Sequence, residues 1–372
     1  TGGTALVSKV LGEREPEKAN RYFSMMILFT VIVGVLLTVF GVTFMEPVAL
    51  FLHATPQMLP DCVLYGRIVI GFTTAFMLQN VFQSFLIAAE KPKLGLAATV
   101  AAGVTNMALD ALFIAGFHWG VAGAAIATGI SQCVGGLFPL IYFLRPNSSK
   151  LRLVRTRLKL RPILNACGNG SSELVSSLAT GITSLLFNYS MLKFVGEDGV
   201  AAVTIANYSI FLLLPMFMGM FMGVAPLISY NYGSGNRRQL HKIFRTCCII
   251  VAVLSVLFFG LLELITPVMV AIFAGGNQPV IELAEHGMRI FSFMMLFMGV
   301  NIFASSFFTA LSNGKISALL SFSKNLFFVI AGVFVWPIFF DLDGIWITIP
   351  VAELLGGVMS ILFLFAYRKR YG

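Results

Sequence analysis

Long apolar segments separated by short polar ones dominate the sequence. A helical segment of about 20 apolar residues crosses a hydrocarbon core of ~30 Å, and ten segments reach that length. Residues 1–11 have the pattern of the end of one more helix, which stops at Gly12 before a polar run. The pattern therefore predicts an all-α membrane protein with spans near 24–45, 63–89, 94–116, 120–144, 172–195, 199–231, 246–272, 286–311, 316–340 and 344–367.

Composition excludes a water-soluble protein. Of the 372 residues, 58% are hydrophobic and 11% are charged, whereas a soluble domain has roughly 25% charged residues. The mean hydropathy is +0.90. The 36 Phe and 35 Gly residues favour helices packed closely in lipid, because small residues permit close approach of two backbones.

The basic residues indicate the orientation of the spans. Of 25 Lys and Arg residues, 21 fall on one alternating side, and the opposite loops at 46–61, 117–119, 196–198, 273–285 and 341–343 contain none. Positive charge stays on the cytoplasmic side of a membrane. The net charge of +9 thus reflects topology rather than a nucleic-acid partner, and we expect a multi-pass protein of the cell membrane with a cytoplasmic C-terminus.

No pattern of catalytic or metal-binding residues is present in the sequence. The five cysteines form no C-x-x-C pair and the four histidines, His53 among them, are far apart, so neither a disulfide framework nor a zinc site is indicated. Paired acids and a nucleophile–base set are also missing. We therefore expect a protein that is not an enzyme, with no stably bound metal or other cofactor.

An internal repeat with an offset of 221 or 222 residues divides the chain. Because six spans lie within one period, both halves enter the membrane in the same orientation, which predicts two six-helix lobes related by a pseudo-two-fold axis along the membrane normal. We assign 1–144 to the N-lobe, 145–162 to a basic cytoplasmic linker and 163–372 to the C-lobe. The matching pairs are Ser8/Ser229, Gly12/Gly233, Phe85/Phe307, Ala88/Ala310, Lys93/Lys315, Gly123/Gly344, Gly135/Gly356 and Gly136/Gly357.

About 60 residues of the second half, 163–222, have no counterpart before Gly2. We therefore expect 12 spans in the complete protein, of which about 10.5 are present here, with the first helix and part of the second missing.

Polar side chains inside the spans are the candidate functional residues. Asn106 and Asp110 are four residues apart and share one helix face. Asp110 is nine residues before Trp119 and Thr128 nine after it, so both lie roughly 13 Å deep if the chain turns there. A carboxylate at mid-bilayer costs about 2.5–3.5 kcal/mol. Such a group can exchange a proton or coordinate Na⁺ together with neighbouring oxygens.

Further candidates lie in or near the C-terminal half. Glu353 occupies the repeat position of Gln132, and both a substrate or proton site and a helix–helix hydrogen bond remain open for it. Glu173 begins a span, where an acid complements the helix dipole. Met216 and Met220 belong to a Met-rich run, whose adaptable side chains suit varied ligands but also ordinary packing.

Three basic residues within spans are expected to be interfacial anchors. Lys324 is nine residues from Lys315 and can extend to the cytoplasmic interface. Arg67 and Arg289 lie near the outer ends of their spans.

Several motifs resemble the multidrug and toxic compound extrusion (MATE) family. Residues 4–12 (TALVSKVLG) with 19–21 (ANR) resemble its second-helix signature, and 106–110 (NMALD) with 120–125 (GVAGAA) resemble its fifth and sixth helices. The resemblance extends to the end of the chain. It implies two lobes around a cavity that exchange a drug-like, often cationic molecule for Na⁺ or H⁺. It also implies that Asn106, Asp110 and Thr128 bind the coupling ion, while the family's first-helix Asp would lie in the missing segment.

Together these features predict a monomeric secondary antiporter of cationic or amphipathic small molecules, with Na⁺ or H⁺ as the coupling ion. If the ion is Na⁺, the Asp110 cluster would bind it transiently. Glu353, Gln132, Met216, Met220 and Glu173 are its candidate cavity residues. Two alternatives stay open. One is a lipid-linked saccharide flippase of the same superfamily, for which Arg67 and Arg289 would have to bind a pyrophosphate. The other is a non-transporting or inactive fragment.

Overall fold

The computed structural model describes residues 1–51 and 56–371, with side chains through Tyr367. Regular secondary structure in these residues is entirely helical, which confirms the predicted fold class. His53 lies outside the described residues. The first helices are α1 (Gly2–Gly12), α2 (Pro16–Thr43), α3 (Met45–Phe51), α4 (Leu59–Gly71), α5 (Thr73–Ala88), α6 (Pro92–Asp110), α7 (Gly120–Leu144) and α8 (Leu160–Asn169).

Two π-helical segments interrupt the regular helices. The first, Ala111–Gly116, continues α6, and the second, Ser323–Phe328, joins α14 to α15. The later helices are α9 (Ser171–Phe194), α10 (Glu197–Gly233), α11 (Arg237–Phe273), α12 (Gln278–Ser292), α13 (Met295–Ala310), α14 (Gly314–Phe322) and α15 (Val329–Tyr371).

The helices account for the predicted spans. Among the described residues, six helices are long and apolar enough to cross a membrane, and two bent pairs, α4 with α5 and α12 with α13, bring the number to eight. One of the six, Gly314–Tyr367, contains two predicted spans, because the backbone leaves helical geometry at Phe340 and Asp341. The remaining predicted span, 172–195, corresponds to α9, which is not among the helices that are long and apolar enough.

Apolar side chains cover much of the surface, as a lipid environment requires. On α2, Leu36 is 63% exposed, Val39 61% and Phe40 60%. A soluble protein rarely exposes a continuous apolar surface of this kind. The exposed apolar helices therefore face lipid, and the protein is embedded in the membrane through several helices.

The chain folds as two compact units. The first unit comprises residues 14–164, and the second comprises 1–13 with 165–372. In the first unit the basic linker follows the start of α2: the Arg152 amide donates to Asn20 Oδ1 at 2.9 Å and the Val154 amide to Ser24 Oγ at 2.8 Å. The linker is thus extended as far as 159, where α8 begins one residue later.

Within the second unit, α1 packs against α10 through two glycines related by the repeat. A Cβ atom on Gly12 would lie 2.0 Å from Tyr230 O, and one on Gly233 would lie 2.0 Å from Lys9 O. No larger residue fits at these positions without a shift of the backbone. Residues 1–13 therefore pack with the unit that holds 165–372, although the repeat assigns them to the N-lobe. Assignment of the lobes by sequence repeat stays a prediction.

A second pair of repeat-related positions supports similar packing inside each unit. Gly135 and Gly136 of α7 lie against α5, where their Cβ atoms would approach Gln79 to 2.6 Å and Ala75 O to 2.7 Å. Gly356 and Gly357 of α15 lie against α13, next to Asn301 and Phe297. The small residues that the repeat singled out therefore mark close helix contacts in both halves.

We predict that Gly233→Ala destabilises the protein by about 1–3 kcal/mol, the usual cost of overpacking. The control is Gly223→Ala on the same helix, because a Cβ atom there meets nothing within 4 Å. Thermal unfolding of the detergent-solubilised protein measures both. Equal melting temperatures for the two variants would contradict the close contact of α1 with α10.

Candidate functional site

Asp110 is the last residue of α6, at the junction with the π-helical segment 111–116. Helix α6 begins with a proline in its first turn, where the missing N–H costs nothing, and then runs through small residues that allow close packing. A π-helical turn in an α-helix is uncommon and occurs frequently at functional sites. The change of helix type thus falls at the carboxylate that the sequence singled out.

Asn106 and Asp110 each carry a buried polar atom that lacks a partner. Both residues are half-buried, and neither Asn106 Nδ2 nor Asp110 Oδ1 makes a hydrogen bond within the described residues. Leaving a buried donor or acceptor without a partner costs about 1–3 kcal/mol. Structural hydrogen-bond clusters are normally satisfied, so these atoms fit a site that binds a ligand better than one that only holds two helices together.

Thr128 lies on α7, which packs against α6 as predicted. The Trp119 amide donates to Phe113 O at 2.9 Å, and the Phe113 and Trp119 rings stack with centroids 4.9 Å apart, so the chain reverses where the sequence indicated. Thr128 is half-buried. No hydrogen bond joins Asn106, Asp110 and Thr128 to one another in the described part of the chain. The paired helices are confirmed, and the ion site remains a prediction.

A buried ion pair forms in the second unit. Lys324 Nζ lies 2.8 Å from Glu353 Oε1, and the two side chains are 14% and 7% exposed. Asn301 Nδ2 donates to the other carboxylate oxygen, Oε2, at 2.6 Å and to Glu353 O at 2.8 Å. Ser360 Oγ donates to Asn301 Oδ1 at 2.9 Å. Both oxygens of the carboxylate are therefore engaged by residues from other helices.

Gly356 provides the room for this ion pair. It lies one turn after Glu353 on α15, and a Cβ atom there would come within 2.7 Å of Lys324 Cγ and 3.3 Å of Asn301 Nδ2. The adjacent Gly357 is less restricted, since its Cβ would meet Phe297 at 3.6 Å, an ordinary contact.

The expected position of Lys324 at the cytoplasmic interface is wrong. Its ammonium group turns inward to Glu353 because an unpaired carboxylate inside the unit would cost several kcal/mol, roughly the penalty for an isolated buried charge. Of the two readings of Glu353, the structure shows the interhelical hydrogen bond, and it adds an ion pair. Counting from the break at Asp341, Lys324 and Glu353 differ in depth by only ~7.5 Å, which a long lysine side chain spans.

The ion pair lines a cavity of about 200 Å³ in the second unit. Glu173, in the first turn of α9, also lines this cavity, and its side chain is exposed. Six hydroxyl groups of the lining, those of Ser176 and Ser321 among them, make it partly polar, while Met218 and Met298 contribute apolar surface. The structure thus brings together two predicted candidates, Glu173 and Glu353.

The other predicted cavity residues lie elsewhere. Met216 is 55% exposed, and Met220 packs against the apolar core of the second unit. The Met-rich run contributes Met218 to the cavity lining instead. Gln132 is half-buried on α7 in the first unit.

The sequence did not single out two polar residues, Asn301 and Glu263, and it gave Lys324 a different role. Asn301 and Lys324 complete the Glu353 cluster, and Glu263 of α11 accepts a hydrogen bond from Ser292 Oγ. An acid and a base on consecutive spans were a signal for the Lys324–Glu353 pair. Arg67 and Arg289 have exposed side chains and do not line this cavity.

The many lipid-facing helices and the charged groups buried among them define a multi-span membrane protein of the transporter class. The family model MatE matches residues 1–112 and 174–334. The chain belongs to the MatE family, as its motifs indicated.

Curated relatives match nearly the whole chain. The multidrug export protein MepA of Staphylococcus haemolyticus is 24% identical over 378 residues, which cover 99% of this chain and 81% of the relative. MepA of Staphylococcus saprophyticus is 25% identical over 380 residues, with the same two coverages.

Solved structures of MATE transporters share the fold. An outward-facing multidrug resistance MATE family transporter of the MOP superfamily superposes with a TM-score of 0.91 at 19% identity, covering 99% of this chain and 84% of that one. A MOP superfamily transporter from Pyrococcus furiosus has a TM-score of 0.92 at 19% identity, covering 97% and 81%. These neighbours agree with the all-helical two-lobe fold that the sequence predicted.

We predict that Lys324→Met destabilises the protein by about 3–5 kcal/mol, because it leaves the buried Glu353 carboxylate without its counter-ion. The double variant Lys324→Met with Glu353→Gln removes both charges and should recover most of this loss. Thermal unfolding in detergent measures each variant. The control is Lys193→Met, which removes an exposed lysine of α9 and should have little effect. A double variant as unstable as the single one would show that charge compensation is not what the pair supplies.

Proposed function

We propose that this MatE family member is a secondary active antiporter that exports cationic or amphipathic small molecules in exchange for Na⁺ or H⁺. The Asp110 region would bind the coupling ion, and rocking of the two lobes would alternate access to the substrate. We further propose that the protein works as a monomer in the cell membrane with its C-terminus in the cytoplasm, in line with the one-sided distribution of Lys and Arg.

The unpartnered atoms of Asn106 and Asp110 are the main support for the coupling site. A carboxylate oxygen without a hydrogen bond can accept a proton or bind Na⁺ without first breaking an existing contact. Thr128, on the helix packed against α6, would supply a hydroxyl oxygen. In contrast, Glu353 must exchange existing partners before it can bind anything, so it is the weaker candidate for a freely loading ion site.

The substrate class is supported by the charges available and by the relatives. The cavity of the second unit holds two carboxylates and one ammonium group among its lining residues, an excess of negative charge that favours a cation. Glu353, Glu173 and Gln132 are the polar candidates for substrate contact, with Met216 and Met220 as adaptable apolar ones. The relatives MepA are named multidrug export proteins.

The flippase alternative has no comparable support. Arg67 and Arg289, the residues it would need for a pyrophosphate, are exposed, and the curated relatives are export proteins. Transport measurements also test the remaining alternative, an inactive chain.

We predict that Asp110→Asn uncouples transport. The purified protein is reconstituted in proteoliposomes, and uptake of a fluorescent organic cation is recorded with a Na⁺ gradient and a pH gradient imposed separately. One gradient should drive uptake in the wild type. The variant should lose about tenfold or more of the driven uptake, within the ~5–150-fold range of typical coupling free energies.

The control is Asp61→Asn, which neutralises an exposed carboxylate at the start of α4 and should transport normally. Because Asp110 Oδ1 makes no hydrogen bond, its replacement should not lower the melting temperature. Gradient-driven uptake that persists in Asp110→Asn would refute the coupling role, and no uptake by the wild type under either gradient would refute the antiporter.

A further inference from the structure

The Lys324 ammonium group is incompletely satisfied. An ammonium has three N–H donors, and Glu353 Oε1 is its sole hydrogen-bond partner within the described residues. Both side chains line the cavity of about 200 Å³ instead of being enclosed by apolar packing. The ion pair is thus accessible to a molecule that enters the cavity.

The cavity offers an entering cation two carboxylates. Glu173 is exposed, where solvent weakens its attraction for a charge, whereas Glu353 is 5% exposed, where the lower effective dielectric strengthens it. Within the described residues, Glu173 on α9 and Glu353 on α15 are the acids that line the cavity with Lys324. A small organic cation would therefore gain most by binding at Glu353, in the place that Lys324 Nζ occupies.

Displacement has a consequence for the lysine. A charged ammonium group left without a counter-ion in a cavity of this kind is costly, and a buried lysine can relieve that cost by becoming neutral. The products are the organic cation paired with the Glu353 carboxylate, a neutral Lys324 amine and one released proton. Charge balances, because one positive charge enters the site and one leaves it.

We propose that Lys324 is an internal counter-ion that an organic cation replaces at Glu353, with release of the Lys324 proton. The cavity of the second unit would thereby exchange a cation for a proton by itself, separately from the Asp110 site. This inference rests on the proposed function, since the cation would be a transported substrate. Its test measures binding in detergent, so it can fail while the transport experiment succeeds, or the reverse.

A chain of hydrogen-bonded hydroxyl groups begins at the lining of the same cavity. Ser321 and Ser305 line the cavity with their hydroxyl oxygens 3.1 Å apart. Ser305 Oγ is 2.8 Å from Ser317 Oγ, which accepts from Thr309 Oγ1 at 2.8 Å. These hydroxyls follow α13 and α14 towards the turn that joins them.

The probe is tetraethylammonium, whose permanent charge does not change with pH and whose size suits the cavity. Binding to the purified full chain in detergent is measured by calorimetry at several pH values, and proton release is measured with an indicator dye in weak buffer. We expect release of about one proton per bound cation, and therefore an affinity that rises about tenfold per pH unit, as linkage requires.

Two substitutions of the lysine should act in opposite directions. Lys324→Arg keeps a charge that cannot be released, so binding should weaken tenfold or more. Lys324→Met removes the competitor, so binding should strengthen and should raise the melting temperature of that destabilised variant. In both variants proton release and the pH dependence should disappear. A purely structural lysine would not give opposite changes in affinity.

Substitutions of the acids identify the carboxylate. Glu353→Gln should abolish binding and proton release, whereas Glu173→Gln should weaken binding only modestly and leave about one proton released per bound cation. Gly356→Ala should displace the Lys324 side chain and change the affinity, with Gly357→Ala as the matched control. The proposal is overturned if the wild type does not bind the probe, binds it without releasing a proton, or loses it through Glu173→Gln and not through Glu353→Gln.

Discussion

A charge inside a membrane protein must find its compensation within the protein, because neither lipid nor a dry interior supplies it. In the second unit this constraint determines the arrangement of three elements. Asn301 of α13 and Lys324 of the π-helical segment both reach the Glu353 carboxylate of α15. The register of these elements is therefore set by hydrogen bonds as well as by apolar packing.

The two halves meet the same constraint differently, although they share a repeat. At the offset of 222 that Phe85/Phe307 and Lys93/Lys315 define, the counterparts of Asn301 and Lys324 are Gln79 and Ala102, and at the offset of 221 that Gly135/Gly356 defines, the counterpart of Glu353 is Gln132. None of these three counterparts carries a charge. The acid within a span of the first unit is instead Asp110, which is half-buried and has one buried oxygen without a partner. One half thus neutralises its carboxylate internally, and the other leaves it available.

The sequence predicted the spans, the helix pairing around Trp119 and the family, because these depend on local hydrophobicity and short motifs. It identified Asp110 from its depth and spacing. It did not predict the ion pair of Lys324. Whether this side chain extends to the interface or turns to Glu353 depends on helix tilt and on the space beside Gly356, and a sequence pattern contains neither. Nor did it place residues 1–13 in the second unit, because the packing of α1 on α10 joins segments more than 200 residues apart.

Because Gly356 lies beside the ion pair, we expect positions 324, 353 and 356 to vary together among relatives. A lysine at 324 can reach a glutamate at 353 only past a residue without a Cβ atom, since such an atom at 356 would lie 2.7 Å from Lys324 Cγ. Relatives that retain the acid and the base should therefore be unable to vary position 356, while those that have lost either charge should be free to do so. The combination of Lys, Glu and Gly at this spacing is thus a signature by which members that use this cavity could be separated from the rest of the family.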